Sequence, residues 1–132
     1  MAKYLYPAFF KLEENGMYTV KFLDLPHCYT QGDNLTDAHE MATDVLNLTL
    51  YGMEEEQKPI PPATSPNNMN VPDGCFVTLI AADTLEYRKF YDNKAVKKTL
   101  SIPQWLNTLA EREDINFSQV LQEALKERLH VQ

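Results

Sequence analysis

Residues 3–12, Lys-Tyr-Leu-Tyr-Pro-Ala-Phe-Phe-Lys-Leu, are dense in aromatic side chains and predict a strand. Pro7 has no N–H to give to a ladder, so an edge or a bulge is expected there. Asn15-Gly16 lies between two apolar runs and predicts a hairpin, because both positions tolerate positive φ. From Met17 to Phe22 polarity alternates, with Tyr18, Val20 and Phe22 on one face and Thr19 and Lys21 on the other. Asp24-Leu25-Pro26-His27 predicts a turn, and Cys28 to Gln31 a third strand ending at Gly32.

The period then changes. Asn34 has the chemistry of a helix N-cap, and Asp37 in the first turn suits the helix dipole. Leu35, Ala38, Met41, Ala42, Val45 and Leu48 form a helical stripe, and the helix is expected to run to about Glu55, frayed near Gly52. Residues 57–74 are rich in Pro, Asn and Ser and predict a loop. The near-continuous apolar run Cys75 to Ala82 predicts a strand buried on both faces. Residues 83–94 are polar and aromatic and read as a connection.

The last forty residues have a different pattern. Ala95 to Ile102 alternates like a strand and stops at Pro103, which suits the first residue of a helix. Val96, Leu100 and Ile102 share one parity; Lys97, Thr99 and Ser101 share the other. Lys98 breaks the alternation and is expected to snorkel outward. Leu106, Leu109 and Ala110 are the inward residues of a first short helix. Asn116 and Gln119 have capping-box spacing at a second, whose apolar stripe is Phe117, Leu121, Ala124 and Leu125. Trp105, next to Leu106, cannot share the same core. One basic strand followed by two amphipathic helices is the pattern of a ribbon-helix-helix unit, in which two chains pair their strands and lay the ribbon in the DNA major groove.

Charge sharpens this division. The chain has 132 residues and a net charge of −7, which excludes non-specific nucleic-acid binding by the whole surface. Residues 1–92 hold 6 Lys+Arg and 14 Asp+Glu, a net of −8, while residues 93–132 hold 6 and 5, a net of +1. The stretch 93–101 carries Lys94, Lys97 and Lys98 and no acid. Two distant cysteines, Cys28 and Cys75, make no disulfide framework. Lys3 precedes alternating residues rather than an apolar run, so no signal peptide is read, and no stretch has membrane-spanning length. A cytosolic, non-membrane location is expected.

Taken together, Tyr6-Pro7-Ala8-Phe9-Phe10, then Tyr18 through Asp33 with its Asp24-Leu25-Pro26-His27-Cys28 core, then a capped helix, resemble a HicB-type antitoxin. His27 stands where that family usually has Gly, Leu23 where Pro is common, and Asn34 in place of a Ser or Thr cap. Histidine accepts positive φ less easily than glycine, which bears on the conformation of that turn. The C-terminal pattern resembles the ribbon-helix-helix variant of the family.

The resemblance implies an α+β chain: a reduced RNase H-like β-β-β-α-β domain over residues 1–83, a linker over 84–94 and a ribbon-helix-helix domain over 95–132. It implies an antitoxin that blocks a HicA-type mRNA-cleaving toxin with its first domain and represses its own operon with its second. The partners implied are that toxin, operator DNA and a second copy of the chain, with room for higher oligomers. Lys97, Thr99 and Ser101 are the expected base contacts, since lysine donates to guanine O6 and N7 and hydroxyls donate or accept. Asn116, Phe117 and Ser118 are the expected phosphate contacts at a helix N-terminus. Leu100, Ile102, Leu106, Leu121 and Leu125 are the expected dimer core. Pro26, His27 and Tyr29 are candidate toxin contacts.

Two other readings stay open. One is an orphan ribbon-helix-helix regulator whose first domain senses a protein or ligand; a toxin gene alongside separates it from the antitoxin. The other is an RNase H-like nuclease holding metal ions on Asp24, Asp33 and Asp83, but Asp24 and Asp33 sit in turn and cap contexts where Asp serves local hydrogen bonding. His27-Cys28 has no second pair at metal-ligand spacing, so no metal, cofactor or catalysis is expected.

Overall fold

The aromatic N-terminal strand becomes an inner strand of an antiparallel sheet in the computed structural model, which describes residues 3–132. Strands β1 (Lys3–Leu12), β2 (Tyr18–Phe22), β3 (Tyr29–Gly32) and β4 (Cys75–Asp83) lie in the order β3-β2-β1-β4. Helix α1 (Leu35–Glu55) falls between β3 and β4 in sequence. The chain divides into two compact units, Met1–Lys94 and Ala95–Gln132.

The β1–β2 hairpin closes at Gly16, whose φ is +86°: its N–H donates to Glu13 O at 3.0 Å, and Glu13 N–H donates to Met17 O at 2.8 Å. Asn15 does not share the left-handed conformation. Its Oδ1 instead accepts from Met17 N–H at 3.0 Å, so one positive φ suffices where two were expected. Pro7 sits opposite Leu79 of β4, one residue past Ala8↔Phe22, where the β2 pairing ends. It is accommodated in an inner strand because the neighbouring strand stops short of it.

One face of the sheet carries the core. Tyr6, Ala8 and Phe10 of β1, Val20 and Phe22 of β2, and Ile80 and Ala82 of β4 are buried against Ala38, Ala42, Leu46 and Leu50 of α1. The helix is therefore rotated from the expected stripe: Leu35, Met41 and Leu48 are exposed, and Leu46 and Leu50 point inward. Gly52 lies within the helix rather than at a frayed end. Asn34 caps it as expected, accepting from Asp37 N–H at 2.9 Å. The third strand begins one residue later than the expected start at Cys28, because Cys28 closes the preceding turn.

β4 departs from expectation for a simple topological reason. It is an edge strand, and within its apolar run only Ile80 and Ala82 are buried; Leu79 is exposed on the outer face, and Phe76, on the core face opposite Phe10, is exposed as well. The stretch expected as a linker folds as α2 (Thr84–Tyr91), capped by Asp83, whose Oδ1 accepts from Glu86 N–H at 3.1 Å. Glu54 ties it down. That carboxylate accepts from the Tyr4 and Thr84 hydroxyls, each at 2.8 Å, and from Arg88 at 3.0 Å, joining β1, α1 and α2. Burial raises the Glu54 pKa, yet the hydrogen bonds from Tyr4, Arg88 and Thr84 outweigh it and hold the carboxyl well below its ordinary value.

The proline-rich loop is pinned rather than loose: the Tyr6 hydroxyl donates to Pro61 O, and the Thr64 N–H and hydroxyl both donate to the Asp24 carboxylate. Cys28 and Cys75 are free thiols. Among the described residues no helix is long and apolar enough to cross a membrane.

The second unit holds α3 (Gln104–Arg112) and α4 (Phe117–Leu129) joined by a turn in which Asp114 adopts φ +51°. Pro103 is the N-cap of α3 rather than its first helical residue. Residues 95–102, expected as a strand, have no ladder partner within the chain.

Candidate functional site

The sheet's outer face is open at Leu5, Leu79 and Ala81 but closed at its centre, where Pro7 is fully buried. Strand register places Leu5, Pro7, Phe9 and Lys11 of β1 beside Lys21 of β2 and Val77, Leu79 and Ala81 of β4, and among them Leu5 is 52% and Leu79 44% exposed. At the β2–β3 end of this face a concavity is lined by Phe9, Lys21, Phe22, Leu23, Pro26 and Tyr29. The structure thus brings Pro26 and Tyr29 to one site, with the Tyr29 ring 65% exposed. His27 is exposed but does not line it. The turn that presents these residues closes through Leu25 N–H to Phe22 O at 3.2 Å, Cys28 N–H to Leu25 O at 2.9 Å and Phe22 N–H to Cys28 O at 3.1 Å. His27 keeps a negative φ, so the turn forms without glycine.

The far side of the unit has the opposite chemistry. α1 contains Asp37, Glu40, Asp44, Glu54 and Glu55 and neither Lys nor Arg, while Lys3, Lys11 and Lys21 belong to the sheet. Five of the 14 acids of residues 1–92 thus lie on α1 with no cation in that helix, while Glu13 and Asp73 stand beside Lys11 and Lys21 of the sheet. Exposed Met41 and Leu48 stand among the acids of α1. Periodicity alone assigns both inward; their seven-residue separation, matched by that of Asp37 and Asp44, is the signal of a second helix face.

The second unit has no buried residue. Leu100, Ile102, Leu106 and Leu125 are all exposed and Leu121 is half-buried, so the five positions expected as a dimer core have no core within one chain. Two short helices without a single buried side chain cannot be stable alone. Lys97, Thr99 and Ser101 lie exposed along the extended segment before α3. Asn116 caps α4, accepting from Gln119 N–H at 3.1 Å, while the Gln119 side chain turns to Glu123 instead of completing a capping box. Asn116, Phe117 and Ser118, at the start of this helix, are exposed. Trp105 is exposed on α3.

Two of the three carboxylates weighed as metal ligands serve the fold: Asp24 holds Thr64 and Asp83 caps α2. At Asp33 it is the backbone N–H that bonds, donating to the Asp37 carboxylate at 2.8 Å. Among the described residues no cluster of three or more His, Cys, Asp or Glu has metal-binding geometry.

Comparison with known proteins finds the family model "HicB_like antitoxin of bacterial toxin-antitoxin system" matching residues 5–74. Antitoxin HicB 1 of Photorhabdus laumondii is 32% identical over 98 residues, covering 73% of this chain and 60% of that protein. Antitoxin HicB of Escherichia coli K12 is 36% identical over 63 residues, covering 48% of this chain and 45% of that protein. The match thus spans about half the length of these curated relatives. Among solved structures, a toxin–antitoxin complex from Streptococcus pneumoniae aligns with a TM-score of 0.62 at 25% identity over 96% of this chain and 99% of that one. The Burkholderia pseudomallei antitoxin HicB aligns with a TM-score of 0.54 at 17% identity over 98% of each, a likeness of fold.

Proposed function

The chain belongs to the HicB-like antitoxin family, and on that premise we propose that it neutralises a HicA-type mRNA-cleaving toxin with its first unit and represses its own operon with its second. The first unit acts as a reduced RNase H-like domain without catalysis, covering the toxin's active site from the edge that carries Pro26, His27 and Tyr29. The second acts as a ribbon-helix-helix dimer in the cytoplasm, with Lys97, Thr99 and Ser101 toward base edges and the α4 N-terminus, at Asn116, Phe117 and Ser118, on phosphate.

One observation supports this most: a unit with its own core is followed in the chain by a unit that has none. The coreless unit requires a second copy, and dimerisation pairs the two 95–102 segments into the ribbon that the basic alternation suits. The acidic first unit complements a basic, RNA-binding toxin and speeds its capture.

Growth rescue tests the toxin limb. Induction of the small gene neighbouring this one is expected to arrest growth, and co-expression of the full chain to relieve it. Arrest that the full chain leaves unrelieved would return the orphan-regulator reading. For the DNA limb, Lys97→Ala is expected to cost about 1–3 kcal/mol of operator discrimination. Anisotropy titrations against operator and scrambled duplexes read this directly, and identical curves for both proteins would remove Lys97 from the interface.

A further inference from the structure

α1 is a helix with two working faces. Its inner face fills the core; its outer stripe runs Asp37, Met41, Asp44, Leu48, Tyr51, Glu55, alternating steps of four and three. Met41 is 40% and Leu48 56% exposed. That repeat is the seam along which one straight helix pairs with another.

Part of the seam is already filled, which shows what it takes. Near its C-terminal end Arg88 of α2 pairs with Glu54 and Glu55 and stands over the Tyr51 ring, 4.6 Å from its centroid, while Tyr87 packs on Tyr51 at 5.2 Å. A helix bearing a cation and an aromatic ring docks on this stripe by charge and apolar contact together. The remainder, Asp37 to Leu48, again alternates acid and apolar residues, and both Met41 and Leu48 are exposed.

We infer that the Asp37–Leu48 seam of α1 is the docking site for a cationic amphipathic helix of the toxin. This rests on the antitoxin reading above. The charge map selects the occupant. α1 offers a basic partner Asp37, Glu40 and Asp44 with no cation of its own, while on the sheet Lys11 and Lys21 stand among Glu13 and Asp73 and present mixed charge; a second copy of the same acidic stripe repels itself.

The test uses the full chain and the purified protein encoded by the neighbouring gene, with binding followed by biolayer interferometry at low and high salt. Asp44→Lys is expected to slow association about tenfold at low salt, with the difference shrinking at high salt as exposed charges are screened. Met41→Ala with Leu48→Ala is expected to raise the dissociation rate about tenfold, as loss of central apolar knobs does. Lys11→Glu, on the sheet, is the control and is expected to change affinity by no more than about twofold. Circular dichroism checks that each variant is folded; the three positions of the seam are exposed. Wild-type binding with unchanged kinetics in both seam variants overturns the seam and leaves the antitoxin reading standing. No binding by the wild-type chain overturns that reading and the seam with it.

Discussion

Replacing Gly32 with alanine is expected to unfold the first unit at markedly lower denaturant than wild type, while Gly52→Ala, a glycine within the adjoining helix, moves it the other way. A Cβ on Gly32 would lie 2.3 Å from the Ala38 nitrogen and 2.4 Å from its Cα. Those atoms are helix backbone, so no rotamer change relieves the clash; either α1 moves off the sheet or β3 leaves it. Overpacking of side chains against side chains costs about 1–3 kcal/mol, and a backbone obstruction belongs at or above the top of that range. That is a large share of the roughly 5–15 kcal/mol that holds a domain together. A Cβ on Gly52 would meet no atom within 4 Å, so alanine there only restricts the unfolded chain and favours the helix, by about 1 kcal/mol. Urea unfolding followed by far-UV circular dichroism reads both. Equal midpoints for Gly32→Ala and wild type would mean that β3 and α1 do not approach through this glycine. Because β3 follows directly on the Pro26–Tyr29 turn, the same substitution is expected to weaken toxin capture without altering DNA binding.

Gly32 also shows what the sequence could and could not reveal. As a letter it marks the end of a strand; that the space of its missing side chain is filled by a helix six residues later is a fact of packing between elements. The local signals transfer well. Asn34 and Asn116 cap the helices they are expected to cap, and Gly16 closes the hairpin, because each acts through bonds to its own neighbours. The failures are topological. Cys75–Ala82 looks like a strand buried on both sides, but strand order puts it at the edge of a sheet with one open face. Leu46 and Leu50 lose to Leu35, Met41 and Leu48 in the periodicity because α1 carries apolar residues around more than one face, and a period alone does not say which face meets the core. α2 is hidden in the sequence because its eight residues are held by Glu54, a carboxylate thirty residues earlier. The positions proposed to face a toxin are the least legible: the turn and β3 bring Pro26 and Tyr29 to one concavity, and the acid-and-apolar seam of α1 becomes visible once its inner face is assigned.

The second unit offers the other large effect, and Leu121→Ala is expected to dissociate the dimer. Among the described residues of this unit nothing is buried, and Val96 and Leu100 are the most open of its apolar side chains near the ribbon. Folding and association are then one event, so truncating a residue of the shared core, at about 2–5 kcal/mol, acts on both at once and twice per dimer. Trp105 is the single tryptophan of the chain and lies in this unit, so its fluorescence follows the unit in the intact protein. For wild type, the tryptophan transition is expected to rise with protein concentration while the circular-dichroism transition of the first unit stays fixed. For Leu121→Ala, light scattering is expected to fall to the monomer mass and operator binding to vanish, since one 95–102 segment alone makes no ribbon. A tryptophan transition independent of concentration, with an unchanged mass for the variant, would show that the exposed leucines are not a dimer core. Lys97, Thr99 and Ser101 would then have no paired strand to present them, and the DNA limb would fall while toxin capture by the self-sufficient first unit stood untouched.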